Sequence, residues 1–193
     1  MSDNAKAASC LKSGELDGWE VALGYSGEVT PNGSTRIVVT APESRLSEVH
    51  RALVGVLGEP LSFLYRQKID RREPKPEGHP GRDFVALELA RSRVLEALEA
   101  HEVLLYRDAR CEAWVRGRMN DQVVLDVDGA IYCYPDDPAF RDVLEKLGVT
   151  EAPELVTLED RDYVRHWFRK DADAQEDSLM GALNLAEVPV RQG

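Results

Sequence analysis

The sequence predicts an α+β fold: antiparallel β meanders and hairpins with helices packed on one face, arranged in two small lobes. Three observations lead to it. Segments rich in β-branched and aromatic residues follow one another through very short links, which antiparallel neighbours tolerate and parallel ones do not. Apolar residues at helical spacing form separate blocks instead of alternating regularly with strands. Turn chemistry is frequent, with Pro31-Asn32-Gly33 and Asp128-Gly129 lying between strand-like runs.

The elements follow in chain order. Residues 1–15 are polar and read as a flexible N-terminal tail without an apolar core of signal-peptide length. Residues 19–26 (WEVALGYS) and 36–40 (RIVVT) read as a hairpin around GEVTPNGST. After Pro42, residues Leu46, Val49, Leu53, Val54, Val56 and Leu57 recur at helical spacing over 43–57, and Gly58 and Pro60 supply the stop. Residues 61–69 alternate as a third strand, which completes a β-β-α-β lobe over 16–69. Residues 70–82 hold three prolines, two glycines and many charges, as a linker would. The second lobe spans 83–193, with one continuous domain over 16–190 as the alternative.

Within that lobe, residues 84–101 suggest a short strand running into a helix that ends near Ala100. Residues 102–107 (EVLLYR), 112–118, 122–127 and 130–134 then read as a meander of strands. Asp137 is a good N-cap with Pro138 at the first helical position. Phe140, Val143, Leu144 and Leu147 form the apolar stripe, and Gly148 ends that helix. Thr157 and Asp160 resemble a capping box before a helix whose apolar face is Tyr163, Val164, Trp167 and Phe168. A last helix starts near Asp173, buries Leu179, Met180 and Leu183, and ends at Pro189.

Composition narrows the function. With 193 residues, 43% of them hydrophobic and 31% charged, the chain can bury a full core and is unlike a disordered one. Its longest apolar runs are too short for a membrane-spanning helix. Cys10, Cys111 and Cys133 form no CxxC pair and suit the buried thiols of a cytoplasmic protein, with Cys111 and Cys133 on neighbouring strands. The net charge of −11 is uneven: residues 1–100 hold 13 Lys+Arg against 15 Asp+Glu, and residues 101–193 hold 11 against 20. Such acidity repels phosphate backbones, so a basic protein is a better partner than nucleic acid.

The densest carboxylate cluster lies in 123–147, VVLDVDGAIYCYPDDPAFRDVLEKL. Its segment VVLDVDGAIY, an apolar strand followed by Asp-x-Asp-Gly, resembles the first motif of the haloacid-dehalogenase-like phosphatases. The resemblance implies Asp126 as nucleophile and Asp128 as general acid–base, both helping to hold magnesium. It also implies a parallel Rossmann-like sheet, a following Ser/Thr, a lysine and a further acidic pair, roles for which Thr157, Lys170, Glu176 and Asp177 are the downstream residues. Ala130 stands where the family usually has Thr or Val. The other reading is a tight turn, with Asp128-Gly129 as the two central residues of a hairpin, both at positive φ. Asp126 then faces solvent. The turn agrees with the meander and is preferred.

The remaining constellations carry less. An EF-hand numbered from Asp126 would put Gly129 fourth instead of sixth and set Ala130 and Tyr134 at ligand positions, so no metal is expected. His50 lies among apolar helical residues and reads as packed, while His79, His101 and His166 stand apart. A Cys133–His166–Asp arrangement has no local signature. Arg161, Arg165 and Arg169 fall four apart as a helical basic stripe, and Arg66, Lys68, Arg71, Arg72 and Lys75 read as a solvated cluster.

The sequence therefore favours a non-enzymatic cytoplasmic protein that binds a basic protein, with no cofactor, nucleic acid or membrane involved. In size, charge and want of a catalytic set it resembles the small acidic immunity proteins that bacteria pair with toxins, without a shared motif. The expected contact surface is Asp126, Asp128, Tyr132, Tyr134, Asp136 and Asp137, because tyrosine favours interfaces and carboxylates steer a basic partner. The alternatives are a magnesium phosphatase acting through Asp126 and Asp128, and a structural subunit of a larger bacterial assembly.

Overall fold

Period-two alternation dominates the middle of the chain and lays down one sheet that the helices pack against. The computed structural model describes residues 8–12, 15–16, 19–70, 81–165 and 169–189, with side chains placed within 19–70, 81–163 and 169–189. Among these residues the elements run β1 (Ala8–Lys12), β2 (Glu15–Leu16), β3 (Gly24–Val29), β4 (Thr35–Thr40), α1 (Glu43–Val54), β5 (Leu61–Gln67), β6 (Arg82–Leu89), α2 (Arg91–Ala100), α3 (Glu102–Arg107), β7 (Cys111–Arg116), β8 (Gln122–Leu125), β9 (Ile131–Tyr134), α4 (Pro138–Lys146), β10 (Tyr163–Arg165), α5 (Ala172–Leu183) and β11 (Ala186–Val188). Eight of the described strands form an antiparallel sheet in the order β11-β6-β5-β7-β8-β9-β4-β3, and β10-β1-β2 make a small sheet of their own. The fold is α+β, and none of the described helices is long and apolar enough to cross a membrane.

Register decides which side chains meet. Phe63, Val115, Val123, Cys133 and Ile37 stand opposite one another across five neighbouring strands, and Tyr65, Ala113, Leu125, Ile131 and Val39 form the next row on the same face. All of these are fully buried. α1 covers them with Leu46, Val49, His50, Leu53 and Val54, spaced three and four apart so that they share one face. α1 packs on α2, α3 and α4, and α5 packs on α2 and α3, so the helices form one layer. His50 joins this core by a 2.9 Å bond from Nδ1 to the Tyr106 hydroxyl, which agrees with its reading as a packed histidine. The opposite face carries the row Leu64, Trp114, Val124, Tyr132 and Val38. Guanidiniums lie over its rings, Arg36 at 4.5 Å from Tyr132 and Arg66 at 5.0 Å from Trp114.

Strands from both sides of segment 70–82 share the large sheet. β5 lies between β6 and β7, and β4 lies beside β9. The segment thus joins β5 to its own neighbour β6, and the two sequence lobes are interleaved instead of set side by side.

Three hairpins among the described residues repeat one geometry. The residue before a three-residue loop donates its N–H to the carbonyl of the residue after it: Thr30 to Ser34 at 2.8 Å, Gly117 to Asp121 at 2.8 Å and Asp126 to Ala130 at 3.0 Å. The last loop residue is left-handed each time, Gly33 at φ +84°, Asn120 at +66° and Gly129 at +82°. Glycine and asparagine are the residues that adopt this conformation at least strain. The β8–β9 turn is therefore not the expected two-residue type: only Gly129 is left-handed, and Asp128 keeps an ordinary negative φ.

Several expectations change. Residues 102–107 form α3 instead of a strand, because EVLLYR buries Leu104, Leu105 and Tyr106 in succession. Periodicity cannot separate helix from strand in such a run, and packing against α1 and α5 decides it. Thr157 and Asp160 do close a capping box, but on the single 3-10 turn Leu158–Asp160, after which the chain extends into β10 beside β1. That removes the helical stripe of Arg161, Arg165 and Arg169. His166, Trp167 and Phe168 lie outside the described residues, as do Arg71, Arg72, Lys75 and His79. β1 and β2 fall in or beside the stretch expected to be a tail. α5 ends on Asn184, left-handed at φ 55°, and β11 follows before Pro189. Cys111 and Cys133 are free buried thiols, as expected, but β8 stands between their strands.

The edges of the large sheet are limited. Tyr25 on β3 donates its N–H to the Thr150 carbonyl at 3.1 Å, and its own carbonyl accepts the Ala152 N–H at 2.7 Å. β11, at the other edge, is three residues long and precedes Pro189.

Candidate functional site

The side chains expected to form one contact surface fall in separate places along the β8–β9 hairpin. Asp126 and Asp128 sit in its loop, Tyr132 and Tyr134 on the outer face of β9, and Asp136 and Asp137 beyond the far end of β9. The structure brings Asp126, Asp128 and Tyr132 to one cavity and leaves Tyr134, Asp136 and Asp137 farther along.

Asp126 folds back on its own turn. Its Oδ1 accepts the N–H groups of Asp128 and Ala130, both at 2.9 Å, so it shapes the loop instead of facing solvent. Asp128 Oδ2 accepts the Tyr163 hydroxyl at 3.4 Å. Burial, followed by the charges of Asp126 and Glu159, holds the Tyr132 hydroxyl protonated well above its ordinary range. Asp126, Asp128, Tyr132, Thr157 and Glu159 are among the residues lining a partly open cavity of about 10 Å³, the room of one water.

Farther along the strand, the Tyr134 hydroxyl accepts Arg36 Nη1 at 2.8 Å, and Arg36 also pairs with Glu28. Asp136 accepts Arg141 through two bonds of 2.8 and 2.7 Å, and Arg141 reaches Glu151 at 2.9 Å. Those guanidinium bonds pull the Asp136 carboxyl below its ordinary pKa. Gly27 makes room for the pair: a Cβ there would lie 2.7 Å from Arg141 Nη2 and 2.9 Å from Asp136 Oδ2. Asp137 caps α4 as expected, accepting the Ala139 N–H at 2.8 Å.

This arrangement is a poor fit to phosphoryl transfer. The strand before Asp126 lies between antiparallel neighbours, whereas the phosphatase resemblance implies a parallel sheet. Asp126 Oδ1 is aimed at two N–H groups of its own turn, and the cavity beside it is far smaller than a phosphate ester. Thr157 does reach that cavity, but Glu176 is buried beside Tyr65 and Gln67. Among the described residues no group of three or more His, Cys, Asp and Glu is placed to hold a metal ion.

The isolated basic residues are also engaged. His101 bonds the Ala97 carbonyl at 2.6 Å and Ser178 at 3.1 Å. Arg66 grips Asp83 through two bonds of 2.8 and 3.0 Å, and Lys68 pairs with Glu112 at 3.3 Å.

A second polar centre escapes sequence reasoning. Asp108 and Arg110, in what reads as a plain link, are both fully buried. Arg110 holds Asp108 through Nε and Nη2, each at 2.8 Å, and Asp173 through Nη1 at 2.7 Å. Its Nη2 also donates to the Arg169 carbonyl at 3.0 Å, while the Arg169 N–H donates to Asp108 at 2.7 Å. Beside it, Glu176 Oε1 accepts the Tyr65 hydroxyl at 2.5 Å and Gln67 Nε2 at 2.9 Å. Burial first, then Cys111 and Glu176, keep the Tyr65 hydroxyl protonated far above its usual range. Next to this network a cavity of about 270 Å³ is lined by Gln67, Asp70, Arg82, Phe84, Glu176, Asp177 and Met180. The available sequence signal is Asp108-Ala109-Arg110, an acid and a base two apart between apolar runs, which points to the local pair and not to its distant partners.

No known protein family, characterised protein or solved structure matches this chain.

Proposed function

We propose that the protein acts by binding a basic protein partner, without catalysing a reaction, in the manner of a small acidic inhibitor or immunity protein. The observation that carries this reading is the charge around Tyr132. Asp126, Asp128 and Glu159 meet there, and Arg36, the guanidinium lying over that ring, is already paired with Glu28. Negative charge beside an aromatic ring suits a partner that presents arginine or lysine.

The proposed contact surface is Asp128, Glu159 and Tyr132, which line one cavity, whereas Asp136 and Asp137 lie beyond the far end of β9. The acidic excess of residues 101–193 supplies long-range attraction. The test partner is a small basic protein such as lysozyme in the first instance, and any basic protein found to co-purify with the chain thereafter. Asp128→Lys combined with Glu159→Lys is expected to slow association about tenfold in low salt, with much of the difference lost near about 0.5 M salt. Stopped-flow measurement decides it, and an unchanged association rate removes this surface.

A further inference from the structure

We infer that a second copy of this chain packs on the outer face of β6, β5 and β7, the face of the large sheet turned away from the helices. The β5–β6 pairing carries a bulge there. Leu61 faces Leu89 and Phe63 faces Ala86, so Leu87 and Glu88 together stand opposite Ser62. Ala86 and Leu89 are buried, whereas Leu87 is 65% exposed and Glu88 is exposed beside it. Glu88 holds φ at 55°, a conformation that strains a long side chain and suits glycine or asparagine. Such strain gathers where a side chain has to be presented in a particular way. Here it presents a leucine and a carboxylate to solvent.

Leu87 does not stand alone. Val85, Leu64 and Trp114 face one another across the same three strands and are half-buried, and Ala186, opposite Val85, is exposed. Ser62 separates Glu88 on β6 from Arg116 on β7. Both are exposed, Arg116 donates to Asn120, and neither has an ion-pair partner among the described residues. Two strand spacings, about 10 Å, keep them apart. Charges on the other side of the patch are already matched: Arg66 and Lys68 pair with Asp83 and Glu112.

This pattern is complementary to itself. A two-fold axis along β5 lays β6 of one copy over β7 of the other. Glu88 then meets Arg116 of the second copy, Arg116 meets its Glu88, Val85 meets its Trp114, and Leu64 meets its own counterpart. A basic partner of the kind proposed for the Tyr132 surface would satisfy Glu88 and set like charge against Arg116. A second copy satisfies both. The inference is independent of the proposed function. A face three strands wide is small for an interface, so the dimer is weak, with a Kd of about 10–100 µM.

Sedimentation velocity of the full chain tests this, from about 5 to about 500 µM and in about 0.3 M salt to screen the repulsion between two chains of net charge −11. The mass is expected to double across that range. Leu87→Asp is expected to raise Kd at least about tenfold, as a carboxylate enters an apolar contact. Glu88→Arg and Arg116→Glu should each raise it about tenfold, because each sets like charges together twice. Combined, they restore association to within about threefold of wild type. All three positions are exposed, so melting temperatures should stay within about 2 °C of wild type, which separates lost association from lost folding. Asp128→Lys with Glu159→Lys is expected to leave the dimer unchanged, so this face and the Tyr132 surface succeed or fail separately. A chain that stays monomeric at about 500 µM, a dimer indifferent to Leu87→Asp, or a double reversal that fails to restore association overturns the inference.

Discussion

The β8–β9 hairpin and the Asp108–Arg110 corner both concentrate carboxylates, and they use them in opposite ways. In the hairpin most of these bonds are local: Asp126 serves the N–H groups of Asp128 and Ala130, Asp137 that of Ala139, and Asp136 pairs with Arg141 five residues on, with Asp128–Tyr163 the longer link. In the corner one local pair, Asp108 with Arg110, is tied to remote partners. Arg110 meets Asp173 at a separation of 63 residues, and Glu176 meets Tyr65 at 111. Water screens the first set, which fixes the shape of a turn and a helix start. Burial magnifies the second, which fastens α5 to the sheet. Carboxylate density in a sequence therefore says little about where charge matters most; burial decides that.

The contrast can be broken at its strong end first. Arg110→Met strands the buried Asp108 and Glu176 carboxylates and is expected to destabilise the fold by about 3–5 kcal/mol, read from the urea midpoint. A loss under about 1 kcal/mol would mean that burial adds nothing over the hairpin pairs. Asp137→Ala removes the α4 cap and is expected to lower stability by about 1 kcal/mol in the same assay. Asp136→Asn is the smallest, below about 1 kcal/mol at neutral pH, because the Asp136–Arg141 pair is partly exposed. Its pH dependence carries the sign. The folded carboxyl lies below the ordinary value of 3.8 through its bonds to Arg141, so the contribution is present above that pH and is lost as pH falls through the lower folded value. Melting temperatures of wild type and Asp136→Asn should converge in acid; a gap that persists there would assign the effect to packing.

Local chemistry is legible in the sequence, and tertiary partnership is not. Asp137-Pro138 marks the start of α4 because the cap needs only the next two residues, and Asn32-Gly33 marks its turn for the same reason. The length of the β8–β9 loop is harder to read, since Asp-Gly suits a two-residue turn and also a three-residue loop closed by a left-handed glycine. EVLLYR is ambiguous on its own and becomes helical through α1 and α5. Tyr163–Arg165 becomes a strand through β1, a partner more than a hundred residues earlier. Neither preference exists within the segment itself. The same holds for the candidate sites. Asp126 and Asp128 announce themselves by motif, whereas Gln67 and Glu176 become a pocket wall only when β5 and α5 are brought together.

The two ends of the large sheet limit how anything can attach to this protein. Tyr25 exchanges both backbone groups with residues 150–152, so an incoming strand cannot run in register along β3. At β11 three residues are available before Pro189 withdraws a donor. Among the described residues, both edges thus offer a foreign backbone only a short stretch to pair with. A partner that adds a strand here gains few backbone bonds, which shifts the burden of recognition towards side chains.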